Sequence, residues 1–229
     1  MADNNMQLPF AARVANWTAI AAAAGALVFL ALLHVVSPEF DPSWRQISEY
    51  ANGKYGWILS LMFAFGGISQ WALLIGVWRQ ERKAIFKAGL ILLFIAGAGE
   101  AMAAVFDINS PLHDLAGVLG ILGLPIAAMF LTSALSHSPG WSVAKRPLLW
   151  SANLTWIAVA LFAASFAIMF LTFHLAGIKI DPSAGPTAHA PAGVIGYVGL
   201  TDRLIVVASW LWVGMVAWHA IRLSRKESL

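Results

Sequence analysis

The chain is expected to be an all-α protein, a six-helix transmembrane bundle forming one integral membrane domain over residues 1–229. Three observations predict it. Long apolar runs recur at 17–36, 57–78, 88–106, 111–135, 150–173 and 201–223. The chain is 60% hydrophobic and 11% charged, against about 25% charged in soluble domains. Its basic residues sit mostly in short loops between the runs. A bilayer core of about 30 Å is crossed by roughly 20 apolar residues in a helix, so each run suffices. Only helices or closed barrels satisfy the backbone in lipid.

The first run follows a short polar stretch, MADNNMQLPFAARVANW. Residues 21–25 imitate a signal-peptide region, but the run continues through LVFLALLHVV with no A-x-A site at its end, which predicts an uncleaved helix. Loop 1, SPEFDPSWRQISEYANGKYG, is punctuated by Pro38, Pro42, Gly53 and Gly56, and SWRQISEYA predicts a short surface helix. Loop 2, RQERKAIFK, is a short turn. Loop 3, DINS, is so tight that spans 3 and 4 form an antiparallel hairpin. Span 3 pairs Gly97 with Ala101 and Gly99 with Ala103, small residues that let helices approach closely and that place this span at the centre of the bundle. Span 4 carries Gly117, Gly120 and Gly123, then Pro125, which predicts a kink. Loop 4 breaks at Pro139-Gly140. Loop 5, AGIKIDPSAGPTAHAPAGVIGYVG, either folds back over the bundle as a lid or remains a flexible connection. No internal repeat of the transporter kind is visible.

The distribution of Lys and Arg sets the expected orientation. Ten fall on one side: Arg13, Arg79, Arg82, Lys83, Lys87, Lys145, Arg146, Arg222, Arg225 and Lys226. Four fall on the other: Arg45, Lys54, Lys179 and Arg203. Both termini are therefore expected in the cytoplasm. Trp17, Trp78, Trp150 and Trp218 mark inner span ends and Trp57 an outer one, as an interfacial aromatic belt does. The pI near 9.5 is read as this topology signal rather than as nucleic-acid binding. Cysteine is absent, which excludes disulfides and thiolate chemistry. No Walker loop, G-x-G-x-x-G or G-x-S-x-G occurs, so nucleotide binding has no support.

Acidic residues cluster on the side poor in Lys and Arg. Eight of the eleven lie there, Glu39, Asp41, Glu49, Glu100, Asp107, Asp114, Asp181 and Asp202, with His34, His113, His174 and His189. Acids contribute little to topology, so this clustering points to a polar site. Glu100 stands within span 3, where hydrocarbon penalises charge by at least about 2.5 kcal/mol and a carboxyl faces the bundle interior. Asp107, seven residues on, shares its face if the helix continues, about 10.5 Å along the axis. Ser110 and Pro111 predict a capped start for span 4, and Asp114 suits its first turn. His113, Gly117 and Gly120 share a face, leaving space beneath the imidazole. Ser48 and Glu49 read as a cap and first-turn acid. Thr201 and Asp202 read the same way for span 6. Arg203 opposes the helix dipole there and is expected to pair with Glu49, Asp107 or Asp114. His34, Glu100, Asp107, His113 and His174 could supply ligands to a zinc ion, which takes three protein ligands plus water in catalytic sites. No contiguous ligand motif supports that set. One heme between two outer histidines is a further possibility, and paired stacked hemes are disfavoured because on the inner side only His219 lies in a span and His137 is in a loop.

Three segments, D-P-x(4)-I-S-E-Y at 41–50, F-D-I-N-S-P-L-H at 106–113 and G-L-T-D-R-L at 199–204, with the tight return into span 4, resemble a bacterial six-helix membrane family filed as a domain of unknown function. The resemblance covers nearly the whole chain. It implies a bacterial inner-membrane location and a polar cluster at Ser48, Glu49, Asp107, His113 and Arg203, with Asp202 where a Glu is expected. It implies no activity. A weaker similarity is to intramembrane hydrolases of the alkaline ceramidase and adiponectin-receptor type, which hold zinc with Ser, Asp and His. Those have seven helices and an H-x-x-x-H pair that this chain lacks.

Three functions follow as expectations. The first is binding of a lipid headgroup, small ligand or partner in an outer-facing acid and histidine cleft. The second is metal-dependent hydrolysis of a lipid amide or ester. The third is proton-coupled transport through Glu100, disfavoured by the few polar residues in the inner halves of the spans. Membrane lipids are the expected surroundings, and the sequence does not report an oligomeric state.

Overall fold

A computed structural model describes residues 9–178 and 187–226, the side chains of 224–226 excepted. Residues 179–186 of loop 5, with Lys179 and Asp181, and the side chains of Arg225 and Lys226 lie outside the described residues. Six α-helices build the fold: α1 (Phe10–Val36), α2 (Gly56–Val77), α3 (Ala84–Val105), α4 (His113–Ser136), α5 (Lys145–Leu175) and α6 (Val198–Lys226). Two 3₁₀ segments, Ile47–Asn52 and Pro139–Ala144, sit in loops 1 and 4. Among the described residues there is no strand. All six α-helices are long and apolar enough to cross a membrane, as the apolar runs predict.

The helices outrun their apolar cores. Pro9 is the cap position of α1, whose first residue Phe10 lies seven residues ahead of the apolar start, and α5 grows directly out of the 3₁₀ turn at Pro139–Ala144. Hydropathy marks what lipid demands, whereas backbone hydrogen bonding carries a helix on until a breaker or a turn stops it. At α4 the reverse happens. The helix begins at His113, not at Pro111, and Ser110 Oγ accepts from the amide of Leu112 at 3.3 Å in the turn before it. Thr201 is likewise no cap. It lies one turn inside α6, where its hydroxyl donates to Tyr197 O at 3.0 Å and sits 2.9 Å from Ser165 Oγ on α5.

Successive helices pack side by side from α1 to α6, and α6 closes the ring against α1 while also touching α2. Trp17 meets Trp218 edge-on at 6.1 Å, so the start of α1 and the end of α6 lie at one end of the bundle. The other end carries loop 1. The most buried helix is α6, with 56% of its most apolar window buried against 28% for α3. This corrects the expectation that span 3 is central. A Cβ on Gly99 would stand 2.7 Å from Gly120 N, and one on Gly67 would stand 3.0 Å from Gly97 O. These glycines let α3 grip its chain neighbours α4 and α2 closely, while Ile91 and Phe94 on α3 remain exposed. Small residues set how near two helices come, not how many neighbours a helix has.

Two cores result. At the end with the chain termini Phe86, Leu131, Leu135, Trp141 and Trp212 interlock, and the Trp212 indole N–H donates to Thr132 Oγ1 at 3.0 Å. There Ser138 Oγ donates to Glu81 at 2.6 Å and Lys83 pairs with it at 3.1 Å, tying loops 2 and 4. The Ser138 hydroxyl and then the Arg82 amide pull the Glu81 carboxyl down to about 2. At the loop-1 end Leu33, Phe40, Ile47, Tyr50, Met62 and Trp210 pack together. The functional residues stand beside this second core.

Candidate functional site

A partly open cavity of about 750 Å3 lies at the loop-1 end, between α3, α4, α5 and α6, with the first 3₁₀ segment over it. Its polar side is built by Gln46, Ser48, Glu100, His113, Asp114 and Asp202. Its apolar side comes from Phe63, Ile121, Val159, Phe162, Phe166 and Ile205. The Phe162 and Phe166 rings meet edge to face at 4.9 Å, an i,i+4 pair on α5. A Cβ added at Gly117 or Gly120 would meet nothing within 4 Å, so the face of α4 below His113 is open space.

His113 and Asp202 are each held by a definite local contact. The ring N–H at Nδ1 of His113 donates to Phe106 O at 2.9 Å, across the loop from α3 to α4. Its Nε2 is thereby left as an acceptor. Asp202 Oδ2 accepts from the amide of Ile47 at 2.7 Å, so the carboxylate fastens the 3₁₀ segment to α6. Asp114 is exposed in the first turn of α4. Glu100 reaches across α3 toward Gly66 of α2. A Cβ on Gly66 would lie 2.9 Å from Glu100 Oε2 and 3.2 Å from Trp210 Cζ2, so glycine leaves room for that carboxyl where it stands. Glu100 Oε2 is buried without a hydrogen-bond partner, as are both amide atoms of Gln70 and Nε1 of Trp210.

Behind the cavity stands a second polar cluster that does not line it. Arg203, 8% exposed, donates from Nε to His34 Nε2 at 2.7 Å, from one terminal nitrogen to Arg45 O and Gly199 O at 2.8 Å each, and from the other to Tyr50 Oη at 3.1 Å. His34 spends its Nδ1–H on Leu30 O at 2.6 Å, so it meets Arg203 as a neutral ring. Glu49, also buried, takes the Arg45 Nε–H on Oε2 and the Gln46 amide on Oε1 at 2.9 Å. The expected pairing of Arg203 with an acid is therefore corrected. Carbonyls, a phenol and an imidazole hold the guanidinium, because Glu49 is already engaged by Arg45 and Asp202 by Ile47. Ser48 is no cap either. Gln46 holds that position in a reciprocal capping box with Glu49, and Ser48 faces the cavity.

The ten polar residues singled out from sequence thus divide. Ser48, Glu100, His113, Asp114 and Asp202 meet at the cavity. His34, Glu49 and Arg203 form the cluster behind it. Asp107 and His174 join neither. α3 ends at Val105, so Asp107 leaves the face it would share with Glu100 and shapes the loop instead, accepting from the Asn109 amide at 2.9 Å. His174 is exposed in the last turn of α5. Among the described residues no three His, Asp or Glu side chains converge on a point that could hold a metal ion. The expected zinc set of His34, Glu100, Asp107, His113 and His174 does not assemble, since His34 has both ring nitrogens occupied and two members lie outside the cavity.

The described part of loop 5 folds back onto loop 1. The Trp44 indole N–H and an Arg45 terminal nitrogen both donate to Thr187 O, at 3.0 and 3.2 Å, and His189 pairs with Asp41 at 3.2 Å. The Ser43 hydroxyl, then the Ser43 amide, hold the Asp41 carboxyl at about 2 against an ordinary 3.8, with His189 adding to them. A depressed folded-state value means that the contact contributes fully above the ordinary value and fades as pH falls toward the lower one. Hydrogen exchange at the Ser43 amide should therefore stay protected down to about pH 4 and lose protection between about pH 4 and 2. Protection that is indifferent to acid in that window would remove Asp41 from this role.

Several contributors escaped sequence reading. Gln46 had a usable signal, a Gln three residues before Glu49 in the manner of a capping box. Gln70 had another, as an amide inside an apolar run. The phenylalanine wall and Ser209 of α6, which also lines the cavity, had none, because they sit in runs whose composition already satisfies a membrane helix.

A six-helix bundle apt for a membrane is the class of protein that the fold defines. The chain belongs to the family described as "Protein of unknown function (DUF998)", which matches residues 20–219. No curated protein and no solved structure matches it.

Proposed function

We propose that this is a multi-pass protein of a bacterial inner membrane, both termini cytoplasmic, that binds a small amphiphile or lipid headgroup in an outer-facing cavity. The orientation rests on the ten-to-four asymmetry of Lys and Arg. The observation that carries the binding reading is the composition of one cavity of about 750 Å3: carboxylates and His113 on one side, phenylalanines and aliphatic residues on the other. Ligand sites commonly enclose roughly 300–1,000 Å3 and combine apolar walls with a few placed polar groups. Val118 and Leu122, exposed on α4, also border the cavity, which favours entry from the lipid side.

The test is to purify the full chain in a mild detergent, extract it and identify bound amphiphiles by mass spectrometry. About one equivalent of one compound class is expected with the native chain and a loss of most of it with Gly120→Phe. That side chain would enter open space and fill the cavity without displacing backbone. Equal retention by both proteins would place the amphiphile in the detergent belt and sink the reading.

A second reading, a proton-coupled carrier, draws on Gln70 and Trp210, whose unpartnered polar atoms extend the polar character inward from Glu100. Proton uptake by liposomes that vanishes in Gln70→Leu would favour it. Hydrolysis through a metal draws no support from the donor geometry.

A further inference from the structure

The cavity has a sign. Among the described residues its lining holds three carboxyl side chains, Glu100, Asp114 and Asp202, and neither lysine nor arginine. The nearby Arg203 is turned away, with its nitrogens spent on His34, Tyr50 and two carbonyls. Asp202 gives one oxygen to the Ile47 amide and is thereby held at the wall. His113, with its Nδ1–H on Phe106 O, offers Nε2 as an acceptor in its neutral form. Glu100 Oε2 is buried beside Gly66 and makes no hydrogen bond. Buried polar atoms without partners are rare in folded proteins, and a carboxyl oxygen at such a place has room for a donor that no described residue supplies.

We infer that the cavity takes a cationic amphiphile, an alkyl- or arylalkyl-ammonium whose charged end sits against Glu100 and whose apolar body lies on Phe63, Phe162 and Phe166. This rests on the reading of the cavity as a binding site and adds the charge and class of its ligand. An ammonium brings three donors and no acceptor, the complement of a wall made of acceptors. An anionic headgroup would meet the like charges of Asp114 and Asp202 in a partly buried space, where screening by salt is weak. The phenylalanine faces add attraction for a cation through their quadrupoles. Asp114, exposed at the edge, draws the cation in.

Three probes with one ring and near-equal size separate the possibilities: 2-phenylethylamine, 2-phenylethanol and 3-phenylpropionate, positive, neutral and negative at pH 7. Saturable binding of each to the detergent-purified full chain is measured by saturation-transfer NMR and calorimetry. The amine is expected to bind about tenfold or more tightly than either analogue. Glu100→Gln should remove about tenfold of amine affinity, the scale of one charge-assisted hydrogen bond, and leave the alcohol unchanged. Should that variant not fold, Asp114→Asn, altered at an exposed position, carries the same comparison with a smaller loss that shrinks further in high salt. If the alcohol or the carboxylate binds as well as the amine, the cationic class is overturned while the cavity remains a binding site. If none of the three binds saturably, the cavity reading falls with it. Binding of the amine that Gly120→Phe leaves intact would place the probe elsewhere and overturn the assignment.

Discussion

Replacing Arg203 with methionine should collapse the loop-1 end of the bundle. The guanidinium is buried and serves four acceptors on four different stretches of chain: His34 on α1, the carbonyl of Arg45 in loop 1, Tyr50 in the 3₁₀ segment and the carbonyl of Gly199 in α6. It also lies 5.6 Å from the Tyr50 ring centroid. Methionine keeps the stem and removes every donor. Each buried acceptor left unsatisfied costs roughly 1–3 kcal/mol, so a loss on the order of 3–5 kcal/mol is expected after partial rehydration. Lysine is no remedy, because a point charge with three donors cannot reproduce a planar fork aimed in three directions. The check is the unfolding midpoint of both variants in detergent, followed by a probe of loop 1 such as limited proteolysis near Lys54. An unchanged midpoint for Arg203→Met would contradict the structural role drawn here.

Glu49→Ala should be the second large loss. This carboxylate pairs with Arg45 across one turn, both side chains about a tenth exposed, and its other oxygen caps the Gln46 amide. Truncation leaves a buried guanidinium without that carboxylate, and breaking such pairs typically costs about 3–5 kcal/mol. Glu49→Gln retains a capping oxygen and should lose less. The informative experiment is a cycle with Arg45→Met. If the pair acts as a unit, the double variant will be more stable than the sum of the single losses requires. Strict additivity of the two would show that Glu49 acts through its cap alone.

These two residues show how the site was and was not legible. Glu49 and Arg203 stood out in the sequence as charges near an apolar run, and both are buried polar groups of consequence. Their partners could not be read. The helix-dipole argument asked for an acid beside Arg203, but hydrogen-bond capacity, not charge alone, decides what a guanidinium seeks. Loop 1 supplies carbonyls and a phenol that no spacing rule brings to residue 203. Asp107 failed for a local reason, since a helix that ends two residues earlier rotates its side chain off the shared face. His34 and His174 lie near one membrane depth by residue count, yet depth along a helix leaves its azimuth free, and a metal site needs both.

Span number, span positions to within a few residues at most ends, and the location of acids at one end were all carried by hydropathy and composition. Lipid imposes those constraints one segment at a time, so they can be read one segment at a time. Which helix is most enclosed, which acids share a cavity and which are consumed in holding loop 1 emerged only when six helices packed. Those outcomes depend on rotation about each helix axis and on glycines such as Gly66 and Gly99 that admit a neighbour's atoms at contact distance. In lipid, close packing and hydrogen bonding, rather than burial from water, choose among such rotations. They are pairwise properties of segments far apart in the chain, and a single apolar run does not encode them.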